Sequence, residues 1–409
     1  MEFKDLHRDV IGNGLCTGCG SCVGICPTKG TAMVYVDHEP EPVLKGLCND
    51  CSLCYDMCPG KDIPFPAMEK LVYGRQKEPD KEPMGMYRAC LAGYATDDKV
   101  REAGTSGGIA SALLIYALEQ GLIDRALVGE WDTDVPWHTR PLAASNREAV
   151  LRAAKTKSQV VFTNALMGEA LQKGGKVATV GVGCHIEAIR KLQVKYPSHR
   201  LSKSVAFTLG LFCYSNYYTF ATELIILERT GIQSLDEVAR VEYRVGKPHG
   251  NLRVTSKDGQ VYLVQGSEAH MLFRAFSRNR CDMCLDWCNE LSDIALGDYW
   301  GARVDGKDMK QGWSTIIVRT EVGERLLKDA EAKGYIATFP TDDSHLLLTG
   351  GYYKKKHTNV YNIMKRRRFN YPTPDFGRAL FIEPIKRDIS FDFHKAPHLK
   401  WRAELEHAD

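Results

Sequence analysis

Several features that would place a protein in a membrane, outside the cell or on nucleic acid are missing from this sequence. No run of 18 apolar residues occurs, so no transmembrane helix is expected. The opening Met-Glu-Phe-Lys-Asp lacks a basic segment followed by an apolar one, so we expect no secretory signal and a cytoplasmic location. A formal net charge of +3 on 409 residues does not favour nucleic acid as a partner. No catalytic triad of nucleophile and base stands out.

Cysteine, in contrast, is abundant, with 14 residues. Because no export signal is apparent, so many cysteines favour metal or redox chemistry over disulfides. Two runs, 16–27 and 48–59, share the pattern C-x2-C-x2-C-x3-C-P. In two-cluster ferredoxins the first three thiolates of such a run bind one cluster, and the fourth binds the other. Zinc sites need no third and fourth cysteine in each run. The spacing predicts two 4Fe-4S clusters, one held by Cys16, Cys19, Cys22 and Cys58, the other by Cys48, Cys51, Cys54 and Cys26.

The chain is long enough for two or three domains. Residues 1–65 are predicted to form a small α+β ferredoxin domain of the bacterial two-cluster type, with a strand at 31–37 and a turn at 39–42. Prolines and charges at 66–85 predict a linker. Strands at 89–95, 126–130, 176–183 and 205–212 then alternate with helices at 107–119 and 186–192. This alternation predicts an α/β domain, in two parts at 86–200 and 201–370. An extended arm is predicted at 371–409.

Glycine-rich turns mark two places where the α/β domain is expected to bind a ligand. The first precedes an apolar helix and is either an anion site, for a cofactor phosphate or a flavin ring edge, or an ordinary helix N-cap. It consists of Thr105, Ser106, Gly107 and Gly108. The second, with Gly181 and Gly183, follows a buried strand, at the end where open α/β sheets bind ligands.

A third cysteine group supplies part of one more metal site. Cys281, Cys284 and Cys288 follow the pattern C-x2-C-x3-C and need a further ligand from elsewhere in the chain. Cys184 and Cys213, at the ends of successive predicted strands, are candidates, and Cys90 is a poorer one. Zinc stays open at this site, although the two clusters nearby in sequence favour a third 4Fe-4S cluster.

Taken in order, these motifs resemble the beta-subunit family of coenzyme F420 hydrogenases and dehydrogenases. The resemblance runs from Cys16 to about residue 300, and the architecture is similar to that of the F420-oxidising subunit of F420H2 dehydrogenases. There a two-cluster ferredoxin domain precedes a flavin domain. The matching segments are 106–108, 156–157, 180–184, 210–213, 243–246, 281–286 and 292–300.

The resemblance implies that the α/β domain binds FAD, with a 4Fe-4S cluster nearby held by Cys184, Cys213, Cys281 and Cys284. Cys288 is then an extra thiol, and an alternative set uses Cys288 in place of Cys213. Lys155, Lys157 and Arg244 are candidates for the anionic tail of F420, and Arg244 equally for the FAD pyrophosphate. The cofactor contacts expected on all these grounds are Thr105, Ser106, Gly107, Gly108, Thr156, Lys157, Gly181, Gly183 and Arg244.

The predicted function is that of a flavin and iron–sulfur oxidoreductase subunit. It would couple hydride transfer with F420 to one-electron transfer, through the clusters, to other redox subunits of a larger complex or to a soluble ferredoxin-like carrier. Any association with a membrane would occur through that partner. The sequence departs from the family pattern at Lys155, Ser158, Gly183 and Lys247, which leaves the substrate more open than the flavin.

Because of those departures, two alternative functions stay open. One is a ferredoxin-dependent reductase of an organic substrate, similar to the enzyme that reduces hydroxymethyl chlorophyll, with an aromatic-lined pocket. The residues that would line it are Trp287, Trp300, Tyr214 and Tyr217, which are also ordinary core residues. The other is an electron-transfer adaptor without a small-molecule substrate. Two basic runs, 354–357 and 365–368, are predicted to be solvated surface, with contact to an anionic partner as the sharper interpretation.

Overall fold

The structure is a computed structural model that describes residues 1–79, 81–172, 175–246, 250–299, 312–347 and 349–380. The predictions at Trp300, at Lys247 and in the arm beyond residue 380 lie outside these residues. The strands are β1 (Thr31–Val36), β2 (Glu39–Leu44), β3 (Ala89–Ala95), β4 (Arg125–Trp131), β5 (Thr139–Ala144), β6 (Val177–Gly181), β7 (Val205–Leu211), β8 (Val238–Val245), β9 (Asn251–Ser256), β10 (Val261–Val264), β11 (Ile294–Asp298), β12 (Ser314–Val318) and β13 (Ile336–Pro340).

The longer helices pack around the sheets, and short ones support the cysteine loops. The α-helices are α1 (Phe3–Leu6), α2 (Ser21–Gly24), α3 (Leu53–Asp56), α4 (Phe65–Tyr73), α5 (Asp98–Ala103), α6 (Ile109–Glu119), α7 (Arg147–Arg152), α8 (Met167–Gln172), α9 (Gly183–Lys195), α10 (Arg200–Ser204), α11 (Thr219–Arg229), α12 (Gly266–Ala275), α13 (Glu321–Ala332), α14 (Ser344–Leu347), α15 (Gly350–Tyr353) and α16 (Asn359–Arg368). None of the helices in the described residues is long and apolar enough to cross a membrane.

The predicted α/β domain is confirmed as a mixed sheet with helices against it. Its eight strands follow the order β13-β3-β12-β11-β7-β6-β4-β5, and β4, β6, β7 and β11 are parallel neighbours. Strand β3 is antiparallel to β12, which is antiparallel to β11, so β3 runs in the same direction as the parallel strands. Five strands therefore end at one edge of this sheet, called the carboxyl edge below. Both predicted parts of the domain, 86–200 and 201–370, contribute strands to it.

A second, three-stranded antiparallel sheet, β10-β9-β8, packs with helices α11 and α12 on its own apolar core. The larger core lies between the eight-stranded sheet and helices such as α6 and α13, where residues such as Leu113 and Ile316 are fully buried. Helix α6 is apolar on most of its surface because it is buried almost throughout.

The ferredoxin-like domain, residues 1–65, differs from the prediction at its hairpin. The segment 39–42 was expected to be a turn, but it begins strand β2, which pairs with β1 in antiparallel register. Pro40 and Pro42 are tolerated because β2 pairs with β1 on one side only. The turn comes two residues earlier, at Asp37 and His38, which both have positive φ.

The segment predicted as a linker, 66–85, instead packs tightly on the rest of the chain. It begins within helix α4, whose Met68 is fully buried. Lys77 Nζ lies 2.6 Å from Glu290 Oε2, a carboxylate of the α/β domain. The two domains thus share their packing, since Ile186 and Met283 belong to the same core as Phe3 and Leu6.

The described part of the predicted arm packs on its own chain. Asp375 forms backbone hydrogen bonds with Lys61 and Ile63, and Phe376 is fully buried beside Phe65. This segment, 371–380, therefore lies against the ferredoxin-like domain rather than extending away from it.

Candidate metal centres and cofactor site

The thiols of Cys16, Cys19, Cys22 and Cys58, called the first ferredoxin group, line one cavity with Leu6 and Pro59. Cys16 and Cys19 lie in the loop before helix α2, Cys22 lies within α2, and Cys58 follows α3. The backbone N–H of Gly18 donates to Cys16 Sγ at 3.4 Å. Burial and the negative charge of Cys58 raise the pKa of Cys16 to about 12. Thiolates at this site would therefore need a compensating positive charge, which the iron–sulfur core of a bound cluster would supply.

The second ferredoxin group consists of Cys26, Cys48, Cys51 and Cys54. Burial, followed by the charges of the other three thiols, raises the pKa of Cys54 to about 12, so these side chains face one another. Cys48 and Cys51 are exposed, unlike the first group, and Leu47 beside them is 84% exposed. This group is therefore the one open to solvent.

A proximal group forms at the carboxyl edge from Cys184, Cys213, Cys281 and Cys284. Cys184 lies in the first turn of helix α9, directly after β6, and Cys213 follows β7. The backbone N–H of Cys213 donates to the carbonyl of Trp287 at 2.9 Å, which joins the strand end to the third cysteine loop. Asn359 Nδ2 donates to the carbonyls of Cys281, at 2.9 Å, and Cys284, at 2.7 Å. Four secondary-structure elements thus hold this site.

Electrostatic interactions show how these three groups follow one another. Burial raises the pKa of Cys184 well above its usual range, and the negative charge of Cys19 in the first ferredoxin group raises it further. Cys213 and Cys284 also raise it. Cys22 of the first group interacts in the same way with Cys54 of the second. The proximal group therefore neighbours the first ferredoxin group, which neighbours the second.

Cys288 and Cys90 lie in a different environment. Both belong to an apolar cluster with Met84 and Trp287. Cys288 Sγ donates to the carbonyl of Met84 at 3.4 Å and accepts from Arg319 at 3.3 Å. After burial, the strongest influences on the pKa of Cys288 are charged side chains, Arg319 first, rather than thiols of the proximal group. The structure therefore places Cys184, Cys213, Cys281 and Cys284 together and gives Cys288 other partners.

The first glycine-rich turn lies at the carboxyl edge, where its polar groups already have partners. The N–H of Gly107 donates to Ser314 Oγ at 3.0 Å, and Ser106 Oγ lies 3.2 Å from the same hydroxyl. Gly108, with φ +75°, is the N-cap of α6. Thr156 donates to Thr105 Oγ1 from its N–H at 2.9 Å and its hydroxyl at 3.0 Å. The sequence-separated segments 105–108 and 156 are thereby brought together.

Lys157 is buried, and its ammonium donates to the carbonyls of Ala153, Ala154 and Lys155 at 2.8 to 3.2 Å. These bonds use its three N–H groups at the end of helix α7. Burial lowers the pKa of Lys157 to about 7. The structure thus gives Lys157 a helix-capping role, and its contact with a cofactor stays a prediction.

Arg244 has an unusual backbone, with φ +59°, and points its guanidinium at the carboxyl edge. Its Nη2 lies 2.7 Å from Asp298 Oδ2, at the end of β11, and both side chains are partly exposed. Lys155, also with positive φ, has its Nζ 3.6 Å from Glu242 Oε1. Arg244 is therefore a cation at the sheet edge that a ligand can reach.

The second glycine-rich turn brings a strand and a helix into close contact. A Cβ on Gly181 would come within 2.5 Å of His185 Cβ, so only glycine allows the chain to turn from β6 into α9. Gly183 begins α9 and faces the carboxylate of Asp286. His185 is buried, and burial lowers its pKa to about 4. Close packing explains both glycines, and their predicted cofactor contacts remain predictions.

The basic run 354–357 is not solvated surface, so that prediction is wrong. Lys355 is 1% exposed, and Lys356 and His357 are also buried, on a single turn of π-helix. Lys356 pairs with the buried carboxylate of Glu290. Burial lowers the pKa of Lys355, but the charges of Cys284, Cys213 and Cys281 outweigh it and raise the pKa above its usual range.

The aromatic residues considered for a substrate pocket are mainly core residues. Trp287 packs at 5.1 Å from Phe212, and Tyr217 at 5.2 Å from Phe273. Tyr214, partly buried, lies under two cations, with Lys354 Nζ 4.6 Å and the Arg274 guanidinium carbon 5.1 Å from its ring centroid. Of these three residues, Trp287 and Tyr217 are enclosed in apolar cores. Tyr214, next to Cys213 of the proximal group, is the one that is not.

Three parts of the chain match models of known families. Residues 90–167 match the N-terminal model of the coenzyme F420 hydrogenase/dehydrogenase beta subunit, and residues 174–344 match the model for the C terminus of the same protein. Residues 8–59 match a 4Fe-4S dicluster domain. The coenzyme F420 hydrogenase subunit beta of Methanosarcina barkeri is 33% identical over 64% of this chain and 84% of its own length.

The chain belongs to the coenzyme F420 hydrogenase/dehydrogenase beta-subunit family. The protein of the same name from Methanococcus voltae is 32% identical, over 71% of this chain and 99% of its own. A solved structure, described as a xenon derivative of the F420-reducing NiFe hydrogenase complex from Methanosarcina barkeri, has a chain with a TM-score of 0.57 and 32% identity. That match covers 70% of this chain and 94% of the other. The predicted family and the 4Fe-4S domain are confirmed.

Sequence patterns did not point to three buried titratable side chains near these groups. Lys191 is fully buried and donates to the carbonyls of Cys58, at 2.6 Å, and Asp62, at 2.8 Å. Glu187 is buried three residues after Cys184. Lys355 is the third. Lys191 and Glu187 lie on α9 at helical spacing from Cys184, and that spacing is the one signal that could have found them.

Proposed function

We propose that this chain couples hydride transfer with coenzyme F420 to single-electron transfer through three 4Fe-4S clusters to a partner protein, with FAD between the two. The observation that carries the proposal is the order of the thiol groups. Cys184 neighbours Cys19, and Cys22 neighbours Cys54. Clusters held by these groups would form a row in which each one exchanges electrons with the next.

The proposed ligands follow from which thiols lie together. Each ferredoxin group would hold one cluster, and the proximal group would hold the third, with Cys288 left out. Such clusters, when bound, carry one electron at a time. The protein fixes their sites rigidly, since Glu39 Oε2 of the ferredoxin-like domain lies 2.7 Å from the buried Arg278 Nη1 of the α/β domain. Asn164 of the α/β domain donates to Ser21 Oγ at 2.9 Å, close to the first group.

The proposed flavin site is the carboxyl edge. FAD, when bound, would supply the exchange between a two-electron hydride and single electrons. The Thr105 hydroxyl, which accepts from Thr156 and keeps its own proton to donate, and the guanidinium of Arg244 are donors that suit a phosphate-containing cofactor. Trp131, at the end of β4, stacks on the buried Tyr243 with ring centroids 5.5 Å apart and would give this edge an apolar side.

The proposed exit for electrons is the second ferredoxin group. Its Cys48 and Cys51 are exposed, whereas the other two groups are largely enclosed. A partner, whether another subunit of a complex or a soluble carrier, would dock over these thiols. Transfer in the opposite direction, from the partner to F420, would use the same row.

An anaerobic assay tests the proposal. The chain is loaded with iron, sulfide and FAD, mixed with reduced F420 and a one-electron dye, and the deazaflavin absorbance is followed. We expect rapid oxidation that depends on FAD. Arg244→Gln should lower the FAD content or the rate at least tenfold, whereas Arg240→Gln, on the same strand and paired with Glu242 at 2.9 Å, should not.

A fully loaded protein that leaves reduced F420 untouched would contradict the proposal. Electron uptake from a reduced ferredoxin by the same preparation, with reduction of an organic acceptor, would then favour the reductase alternative. Uptake without any small-molecule acceptor would favour the adaptor.

A further inference from the structure

Lys355 is the buried cation that faces the proximal group most directly. It is 1% exposed, and its Nζ lies 3.4 Å from the carbonyl oxygen of Cys281. Its strongest attractive charge interactions are with Cys284, Cys213 and Cys281. Among the described residues it forms no ion pair with a carboxylate, in contrast to both neighbouring lysines, which pair with Asp282 and Glu290.

A buried ammonium without a carboxylate needs another source of negative charge, because the desolvation of an isolated cation is costly. The other titratable groups near these thiols are Glu187, Arg280 and Asp286, which act on Cys284, and Lys354, which acts on Cys213 less strongly than Lys355 does. Lys355 is the cation whose charge acts on Cys213, Cys281 and Cys284 together. A 4Fe-4S cluster with four thiolates carries a net negative charge and becomes more negative on reduction, so it satisfies this requirement.

We infer that Lys355 raises the reduction potential of the cluster held by Cys184, Cys213, Cys281 and Cys284. Net charge near a cluster is among the factors that set its potential. A fixed positive charge favours the reduced, more negative form, so it makes this cluster a better electron acceptor. The inference rests on the proposed third cluster. It adds a residue that biases electrons towards the proximal site, at the start of the row.

The test uses the complete, cluster-loaded chain in a redox titration followed by electron paramagnetic resonance. The proximal signal is identified as the one lost in Cys213→Ser. Lys355→Met removes the charge and the donor, whereas Lys355→Gln removes the charge and keeps a donor for the Cys281 carbonyl. Lys354→Met is the matched control, because Lys354 Nζ pairs with Asp282 Oδ1 at 3.0 Å and its charge acts on Cys213 less strongly than that of Lys355.

At a fixed potential near the midpoint, both Lys355 variants should lower the ratio of reduced to oxidised proximal cluster about tenfold, which is 59 mV for a one-electron couple. The control should change it less than threefold, and Lys355→Arg should restore most of the ratio. An unchanged ratio in both variants, with full iron content, would overturn the inference. A lower ratio in Lys355→Met but not in Lys355→Gln would also overturn the inference, because loss of the hydrogen bond to the Cys281 carbonyl, rather than loss of the charge, would then explain the effect. Unchanged iron in Cys213→Ser and Cys288→Ser alike, at about eight per chain, would instead refute the third cluster itself.

Discussion

Lys191 and Cys58 are joined by a 2.6 Å hydrogen bond, from Lys191 Nζ on the α/β domain to the carbonyl oxygen of the last cysteine of the ferredoxin-like domain. The same ammonium lies 2.8 Å from Asp62 Oδ1. One buried side chain thus holds the backbone that carries a candidate cluster ligand.

Replacing Lys191 with methionine should weaken this attachment. The substitution leaves two carbonyls and a carboxylate without their donor, at a cost of about 2 kcal/mol. We expect a lower urea midpoint and earlier loss of iron in an anaerobic unfolding titration. Lys195→Met is the control, because Lys195 is partly exposed and its pair with Asp56 should contribute less than about 1 kcal/mol. Equal midpoints for the two variants would contradict this role.

Cys213 and Cys288 should differ in their effect on iron content. Three 4Fe-4S clusters predict about twelve irons per chain. Cys213→Ser should reduce this to about eight, whereas Cys288→Ser should leave it unchanged, because Cys288 Sγ faces Met84 and Arg319. Iron and sulfide analysis of the reconstituted proteins decides between them. The reverse result would support the alternative ligand set.

Cys48→Ser should separate F420 oxidation from electron delivery. Cys48 is exposed in the second ferredoxin group, farthest along the row from the proximal group. The variant should lose the cluster of that group yet keep its FAD-dependent reaction with a small dye. Reduction of a protein acceptor should fall at least tenfold, as measured by stopped-flow absorbance. An undiminished rate to the protein acceptor would mean that electrons leave from another group.

Glu187 should make the protein less stable as the pH rises. Burial raises the pKa of Glu187 to about 8, and its Oε2 has no hydrogen-bond partner among the described residues. Between pH 4.5 and 8 the folded state keeps a proton that the unfolded state releases, so stability falls with rising pH in this window, by up to about 1.4 kcal/mol per unit.

Glu187→Gln removes this dependence, so its melting temperature should exceed that of the parent chain by a margin that grows from pH 5 to pH 8. Thermal melts at four pH values in this range measure the margin. Glu321→Gln, at a side chain that is 81% exposed, should show no such trend. A constant margin for Glu187→Gln would indicate that Glu187 is not the titrating group.

The sequence was most informative where a pattern is local. Strand β3 matches its prediction at both ends, and helix α6 ends at the predicted residue, because apolar runs of these lengths leave few alternatives. The spacing of the cysteine runs identified the 4Fe-4S domain for the same reason. The strand at 39–42 was missed because two prolines usually indicate a turn, and only its place at the edge of a two-stranded sheet permits them.

Long-range packing accounts for the other differences. The segment 66–85 has the composition of a linker, yet Tyr73 donates to the carbonyl of Glu290 across the domain boundary. Lys355 and Lys356 belong to a basic run whose burial depends on anionic groups that are distant in sequence. The composition of a segment does not show which distant residues will pack against it, so the burial of these two segments could not be predicted from their own residues.

The shared core has a consequence for how the protein is made. Phe3 and Leu6 pack in one cluster with Ile186, Met283, Ile363 and Phe376, so the domain synthesised first is completed by residues synthesised much later. Until residue 376 has left the ribosome, part of the apolar surface beneath the first cysteine loops stays uncovered. Iron–sulfur assembly on these loops is therefore expected to follow synthesis of this C-terminal segment, and residues 1–65 expressed alone should not be a stable ferredoxin.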